Sequence, residues 1–409
     1  MIRANTIEKQ VRQQSDLLNL LDFCKGLAIA LVVLAHYVGG WFGWQGVHIF
    51  IVLSGFGLTY SCLRRGKKIS WKEWYTKRFK KILPAYWMTC LLGYTVMVGI
   101  HLLDGRNLLD ALSFPKRLLF FELTLLKNFS YETVVTGPNV SLWFVPFIIS
   151  FYLAFPWVYK LISQRKTLGG LLIIVSGIAL IEFVYRAIAI NWLDGSPIGY
   201  QSFGYLFPVL GVPLNRLPDI STIPFQGEAA FSLFPARIGE FAVGMLAAML
   251  FFQNRQSVQS VTLNIWAGVL GFLIWIAGNA LLYTGFWGWV FADFVIAIGL
   301  TLWVINLAAL CFRAFPVLFK KLSQLGIWSY YIFLCHFVFI YLFVLDLPER
   351  ISGNLTPDFY GEVHGLIMVF AIAASLVGTW LTCGLLKKLD QSKLPELLIG
   401  QPVTKLFNR

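Results

Sequence analysis

One apolar stretch carries two residues of the right type and spacing for chemistry. Lys25 and His36 stand eleven residues apart in a run with few other polar side chains. On an α-helix, eleven residues make about three full turns and ~16 Å of rise, so the two side chains share one face. A cation near one membrane boundary and an imidazole nearer the other are thereby presented by a single helix. Imidazole titrates near the working pH and suits general-base or nucleophilic work. Each residue also has a bland use. A lysine near an interface snorkels to water, and a histidine within a bundle can simply hydrogen-bond there. The shared face argues for a shared task.

Further candidates lie along the chain. The run Thr76-Lys77-Arg78-Phe79-Lys80-Lys81 leads into an apolar segment, and on a helix Arg78 and Lys81 fall at i and i+3. Two cations at a membrane boundary, close to Lys25, could hold a phosphorylated ligand, and the guanidinium fork is well matched to phosphate. Arg237 and Glu240 repeat the i, i+3 spacing inside another apolar run. They either brace the bundle as an ion pair or take a direct part in the chemistry. Glu182 and Arg186 are better read as structural. His336 follows Ser329-Tyr330-Tyr331 near the middle of an apolar segment, where packing or catalysis are both open. His48 sits at the outer end of its segment, where an exposed imidazole costs little, and is an accessory candidate. Ser54 and Gly55 are small residues that let helices approach closely.

These residues need elements to position them, and composition says what kind. Of 409 residues, 58% are hydrophobic and only 13% charged, about half the charge of a soluble domain. Apolar runs near the ~20 residues needed to cross ~30 Å of hydrocarbon recur along the chain. Ten spans are predicted, at about 22–42, 45–61, 82–103, 141–163, 169–192, 235–252, 263–284, 288–311, 326–346 and 363–386. The fold class is an all-α polytopic membrane bundle. Trp41, Trp44, Trp71, Trp74, Trp143, Trp157, Trp192, Trp287 and Trp289 lie near span ends, where interface anchors belong. The apolar segment around Leu118–Leu126 is short and flanked by charge, and reads as interfacial or re-entrant. The N-terminal Met1–Leu17 is polar, so the first span is expected to act as an uncleaved insertion signal.

With the N-terminus in the cytosol, 24 lysines and arginines fall in inside segments and six in outside loops. This asymmetry predicts that both termini are cytosolic. The net charge of +13 is then a property of loops facing anionic lipid, not of a nucleic-acid surface. The six cysteines are scattered without a CxxC pair or metal-ligand spacing, as small buried hydrophobes would be. Two long outer loops, 104–140 and the Pro- and Gly-rich 193–234, could line an outward-facing site. No soluble domain is expected, so residues 1–409 read as one membrane domain that must house the chemistry.

Taken together, the chain resembles the membrane acyltransferase type 3 family, which includes O-acetyltransferases of bacterial surface polysaccharides. The resemblance rests on Leu21-Asp22-Phe23-Cys24-Lys25-Gly26 leading to His36, on Gly46 to Phe56, and on Arg78-Phe79-Lys80-Lys81 with Leu83-Pro84-Ala85-Tyr86. Trp143 with Phe151-Tyr152 and Pro156 follows, then Arg237, Glu240 and Gly244, then Leu325-Gly326 with Ser329-Tyr330 and His336. The order and placement of these motifs carry the match over essentially the whole chain.

The resemblance implies an acyl-CoA-dependent O-acyltransferase of the bacterial plasma membrane. Acyl-CoA, with acetyl as the default acyl group, would be a donor substrate and not a tightly bound cofactor; no metal is expected. Its phosphates would sit near Lys25, Arg78 and Lys81, with Ser54 joining the donor-binding set. His36 would act as general base or carry the acyl group, with Glu240 and His336 completing the catalytic set. The acceptor would be a hydroxyl of a surface glycan or lipid-linked sugar. Two departures stand out. Lysine occupies positions 25 and 81 where the family usually has arginine, and no acid follows Trp143 where many members carry glutamate. A transporter of a glycan or lipid precursor is the alternative, and the absence of a detectable inverted repeat argues against it.

Overall fold

A hydrocarbon environment leaves the backbone no water to bond to, so each apolar run satisfies its own N–H and C=O groups by coiling. The computed structural model describes residues 17–38, 42–66, 69–113, 115–198, 227–353 and 357–400, and these are helical with no strand among them. Trp41, most of the proline-rich second long loop and the terminal cations lie outside the described residues. Ten helices among the described residues are long and apolar enough to cross a membrane, at the ten places the sequence predicts. They are α1 (Leu17–Val38), α2 (Gly46–Arg65), α3 (Trp71–Leu103), α4 (Phe144–Ser163), α5 (Leu168–Trp192), α6 (Ile238–Gln253), α7 (Ile265–Leu281), α8 (Phe286–Ala314), α9 (Pro316–Phe339) and α10 (Pro357–Asp390).

The largest difference from expectation is at the start of α3. Ser70 caps this helix by accepting the Glu73 backbone N–H, which starts it eleven residues before the apolar run. Its 33 residues make ~50 Å of helix, well beyond ~30 Å of hydrocarbon. The first turns therefore carry the basic run out to the boundary as ordered helix. The segment near Leu118–Leu126 forms a short helix, Lys116–Leu123, of ~12 Å, too short to cross. It turns Glu122 inward, where Lys127 and Asn139 donate to its two carboxylate oxygens at 3.1 and 2.8 Å. Burial raises the Glu122 carboxyl above its ordinary value.

Two glycine crossings set the register of the inner helices. A Cβ on Gly26 of α1 would lie 1.8 Å from the Leu322 carbonyl oxygen, and one on Gly326 of α9 would lie 1.7 Å from that of Asp22. α1 and α9 therefore touch backbone to backbone at one point. Gly55 of α2 and Gly244 of α6 make a second such contact, 2.1 Å from Phe241 O and 2.0 Å from Val52 O. Small residues replace hydrophobic drive as the basis of close packing in a bilayer. α2 and α6 are the most enclosed of the ten spans, and α7 and α10 the most peripheral.

Of the tryptophans predicted to be anchors, Trp157, Trp192 and Trp287 are exposed, as that role requires. Trp74 and Trp289 are instead buried inside the bundle, and Trp44 and Trp143 line the cavity described below. All six cysteines are free and buried.

Candidate active site

α1 and α9 leave their glycine contact side by side, and ten residues further along each helix stands a histidine. Equal spacing from a common point brings His36 and His336 level, with His336 Nε2 3.2 Å from His36 Nδ1 and the ring centres 5.0 Å apart. Their tautomers follow from their other partners. His336 Nδ1 lies 2.9 Å from the Ile332 carbonyl and 3.0 Å from that of Phe333. His36 Nδ1 lies 2.8 Å from the Val32 carbonyl. Carbonyls only accept, so each Nδ1 carries the hydrogen. The Nε2 lone pair of His336 then faces the His36 Nδ1–H, and the Nε2 of His36 is left as a base. Phe337 packs its edge against the His36 ring at 5.0 Å, and a π-helical stretch, Ile340–Asp346, begins just beyond the pair.

Two cavities meet at this pair. The smaller, about 180 Å³, is lined by His36, Trp44, Ser141, Trp143, Glu228 and Phe333 among others. It lies among the connections at one end of the bundle. Trp44 is buried, and its indole N–H has no protein partner. Glu228, half-buried on the short helix Glu228–Phe231, supplies an acceptor. Burial raises its carboxyl to about 7. Asn128 fixes both connections by donating to the Trp143 carbonyl at 2.8 Å and the Ser232 carbonyl at 2.7 Å. The larger cavity, about 820 Å³, is an apolar groove between α1, α9 and α10 that ends on His336.

At the other end, ~16 Å along α1, lies the basic group. Lys25 pairs with Asp22 at 3.0 Å. Lys81 is within electrostatic reach of Arg78, Lys25, Lys77 and Asp390. The Arg78 guanidinium stands 5.6 Å over the Trp74 ring. Lys25 and Arg78 thus both come within electrostatic reach of Lys81, with Asp22 paired to Lys25 and Asp390 facing Lys81.

Glu240 goes elsewhere. The α2–α6 crossing carries it to a fully enclosed network with His48, Arg237, Asp293 and Arg186. His48 Nδ1 is 2.9 Å from Glu240 Oε2, Arg237 Nη2 is 3.2 Å from Asp293 Oδ2, and Arg186 Nη1 donates to the same oxygen at 2.8 Å. The expectation of an exposed His48 is therefore corrected, because α2 packs that turn against α6 and α8 and leaves it no solvent access. Glu182 does not pair with Arg186 as a simple i, i+4 couple. It accepts the Gly239 backbone N–H at 2.7 Å, while Arg186 turns to Asp293. Glu240 and Ser54, half-buried on α2, line neither of the two cavities that reach the histidine pair.

Sequence reasoning missed the place of Trp44 in the cavity wall, together with Ser141, Glu228 and Asp293. Glu228 follows a long loop with no motif around it, and its one signal was an acid at the end of a loop already suspected of lining a site. Asp293 was detectable as the lone acid of an apolar run, which is expensive unless paired.

An acyltransferase domain family matches residues 18–384. An acyltransferase, MdmB, of Streptomyces mycarofaciens is 25% identical over 210 residues, which cover 50% of this chain and 46% of that protein. The chain thus spans about half the length of this curated relative. No solved structure matches.

Proposed function

The chain belongs to the acyltransferase domain family, and from that premise we propose that it transfers an acyl group from cytosolic acyl-CoA to a hydroxyl of a glycan on the outer side of the membrane. The observation that carries this reading is the His36–His336 pair, standing between a three-cation group and a small polar cavity. The charge asymmetry of the loops supports a cytosolic side for the cations. In this reading Lys25, Arg78 and Lys81 take the CoA phosphates, with Arg78 able to engage two oxygens at once. The pantetheine arm follows α1 over the ~16 Å that separates cation and imidazole. The thioester then arrives at His36.

The acceptor hydroxyl enters the 180 Å³ cavity. His36 Nε2 takes its proton, and the oxygen attacks the thioester carbonyl. The new C–O bond forms, the C–S bond breaks, and the proton passes from His36 to the departing CoA sulfur. His336 acts through His36. Its lone pair shares the Nδ1–H with the Val32 carbonyl and stabilises the imidazolium, as a triad carboxylate does. A carboxyl on Glu228 and the half-exposed ring of Trp143 make a wall with an acceptor and an apolar face. Such a wall favours a polyhydroxylated ring over a simple alcohol. Glu240 is assigned to holding α2, α6 and α8 together and Ser54 to helix packing.

The test uses purified protein in nanodiscs with radiolabelled acetyl-CoA and a panel of glycans, comparing wild type with His36→Ala. Release of CoA with transfer of label by wild type, and its loss in the variant, is the expected result. Equal turnover by both proteins would remove His36 from the mechanism. Label retained covalently on His36 would replace the general base with an acyl carrier. No turnover with any acyl-CoA or acceptor would move the assignment to a transporter.

A further inference from the structure

Two buried nucleophiles take no part in the mechanism above, Cys335 of α9 and Cys383 of α10. They stand 48 residues apart, a spacing that carries no motif, and packing brings their sulfurs to 3.5 Å. Cys335 Sγ donates to the Tyr331 carbonyl at 3.1 Å, which leaves its lone pairs to accept the Cys383 S–H. Cys335 adjoins His336 in the chain. Cys383 lines the apolar groove of about 820 Å³ that ends on His336. Leu34, Val38, Leu376 and Trp380 of the same lining are exposed. These residues belong to spans, so the groove opens sideways into the hydrocarbon of the bilayer. An oxidant dissolved in the bilayer thus has a path to Cys383 that one dissolved in water lacks.

We infer that Cys335 and Cys383 form a redox-active dithiol, which a lipid-soluble quinone oxidises to a disulfide that ties α9 to α10 beside the histidine pair. The step balances. Two S–H bonds break, one S–S bond forms, and two electrons and two protons turn the quinone into its hydroquinone. The surroundings select this class of oxidant. Thiol–disulfide exchange proceeds through a thiolate, and an unpaired charge is costly in hydrocarbon. A quinone takes the protons together with the electrons and leaves no charge behind. The consequence for the histidines is geometric. Bond formation brings the sulfurs from 3.5 Å to about 2.05 Å, so the two helices and their side chains must take up ~1.5 Å between them. That adjustment falls one residue from His336, whose Nε2 lies 3.2 Å from His36 Nδ1. A misplacement of ~1 Å at a catalytic group costs about 10²-fold in rate, so the oxidised protein is the slow form. The loss of turnover rests on the proposed function, whereas the disulfide itself does not.

The probe is duroquinone, a benzoquinone with every ring carbon substituted, added to the full chain in phosphatidylcholine nanodiscs. Remaining thiols are counted with a maleimide after unfolding, cross-linked peptides are located by mass spectrometry, and CoA release from acetyl-CoA is followed alongside. The expected result is the loss of two thiols, a cross-link between Cys335 and Cys383, and a fall in CoA release of about ten-fold or more. Tributylphosphine, a neutral lipid-soluble reductant, should reverse all three. Glutathione disulfide should produce none of them. Cys335→Ala and Cys383→Ala should each turn over as wild type does and lose the response to duroquinone. Absence of the cross-link in wild type after duroquinone would overturn the inference. Equal oxidation by glutathione disulfide would place the sulfurs within reach of water and overturn it too. A complete cross-link with unchanged CoA release would make the bond a bystander, and inhibition that persists in both alanine variants would assign the loss to another site; either result removes the switch. The cross-link is read by mass and needs no turnover, so a reduced protein that releases no CoA would count against the proposed function alone.

Discussion

Gly326→Ala adds one methyl group at the point where α1 and α9 touch. That methyl would lie 1.7 Å from the Asp22 carbonyl oxygen and 2.6 Å from its carbon. Ordinary contact begins near 3.4 Å, so the helices must part locally by ~1.5 Å, and both groups in conflict are backbone, which does not rotate away. The histidine pair lies ten residues, ~15 Å, further along. A separation of that size carried along two stiff helices takes the 3.2 Å His36–His336 contact out of hydrogen-bond range. His36 keeps the Val32 carbonyl that sets its tautomer and loses the His336 lone pair that would stabilise its imidazolium. Overpacking of this kind costs about 1–3 kcal/mol of stability, and a ~1 Å misplacement of a catalytic group costs about 10²-fold in rate. The expected outcome is a folded, slightly less stable protein whose turnover falls about 10²-fold with little change in acyl-CoA affinity. CoA release at saturating donor and thermal unfolding by fluorescence-detected size exclusion measure the two effects. Gly177→Ala on α5, with nothing within 4 Å of the added methyl, serves as the control and should be silent in both. Gly26→Ala strains the same contact, so the double variant should lose less than the sum of the two. Wild-type turnover in Gly326→Ala at unchanged stability would refute the claim that the glycine contact sets the histidine register.

Three further outcomes follow from the same geometry. Arg78→Ala should raise the KM for acyl-CoA by about ten-fold and leave kcat near its original value; a kcat loss at constant KM would detach Arg78 from donor binding. Glu228 has its carboxyl raised to about 7, so it ionises as pH rises through neutrality. Turnover should climb through about pH 7 with a limb that Glu228→Gln abolishes. A raised native value also means that the stability Glu228 contributes is full below its unfolded value and is lost as pH rises through 7. Melting profiles of wild type should therefore fall across pH 5–8 more steeply than those of Glu228→Gln. Glu240→Gln removes one member of an enclosed ion network and should destabilise by about 3–5 kcal/mol, read as lost expression and a lower Tm. Normal stability with a specific loss of turnover would return Glu240 to the catalytic set.

The ten spans were legible because a bilayer demands ~20 apolar residues per crossing and little else. Their lower ends were less so, since the start of α3 was decided by a single serine cap eleven residues outside the apolar run. Lys25, Arg78 and Lys81 were legible as a group because helical spacing and proximity to one boundary suffice to gather them. The His36–His336 contact was not, for it joins residues 300 apart, and its geometry depends on two glycines whose meaning appears only when the helices are packed. Glu240 shows the reverse case. Its spacing from Arg237 was correctly read as an ion-pair spacing, yet the rest of the network, His48 against Glu240 and Asp293 against Arg237, comes from two more helices. Periodicity on one helix carries no information about what a second helix brings. Glu228 and Trp44 escaped because their roles come from the cavity they enclose and not from any pattern around them.

The distance in sequence between the two histidines also orders events during synthesis. The chain is made from its N-terminus, and His36 with all three donor-side cations is in place once α3 has emerged. The second imidazole, whose lone pair faces the His36 Nδ1–H, is not made until the ninth span. A nascent or truncated chain that stops after α8 would therefore hold donor-side charge and a loosely held imidazole, with no means of joining them to a reaction. Activity would be acquired late and in one step, when α9 slides its glycine against that of α1, so that an unfinished protein in the membrane consumes no acyl donor.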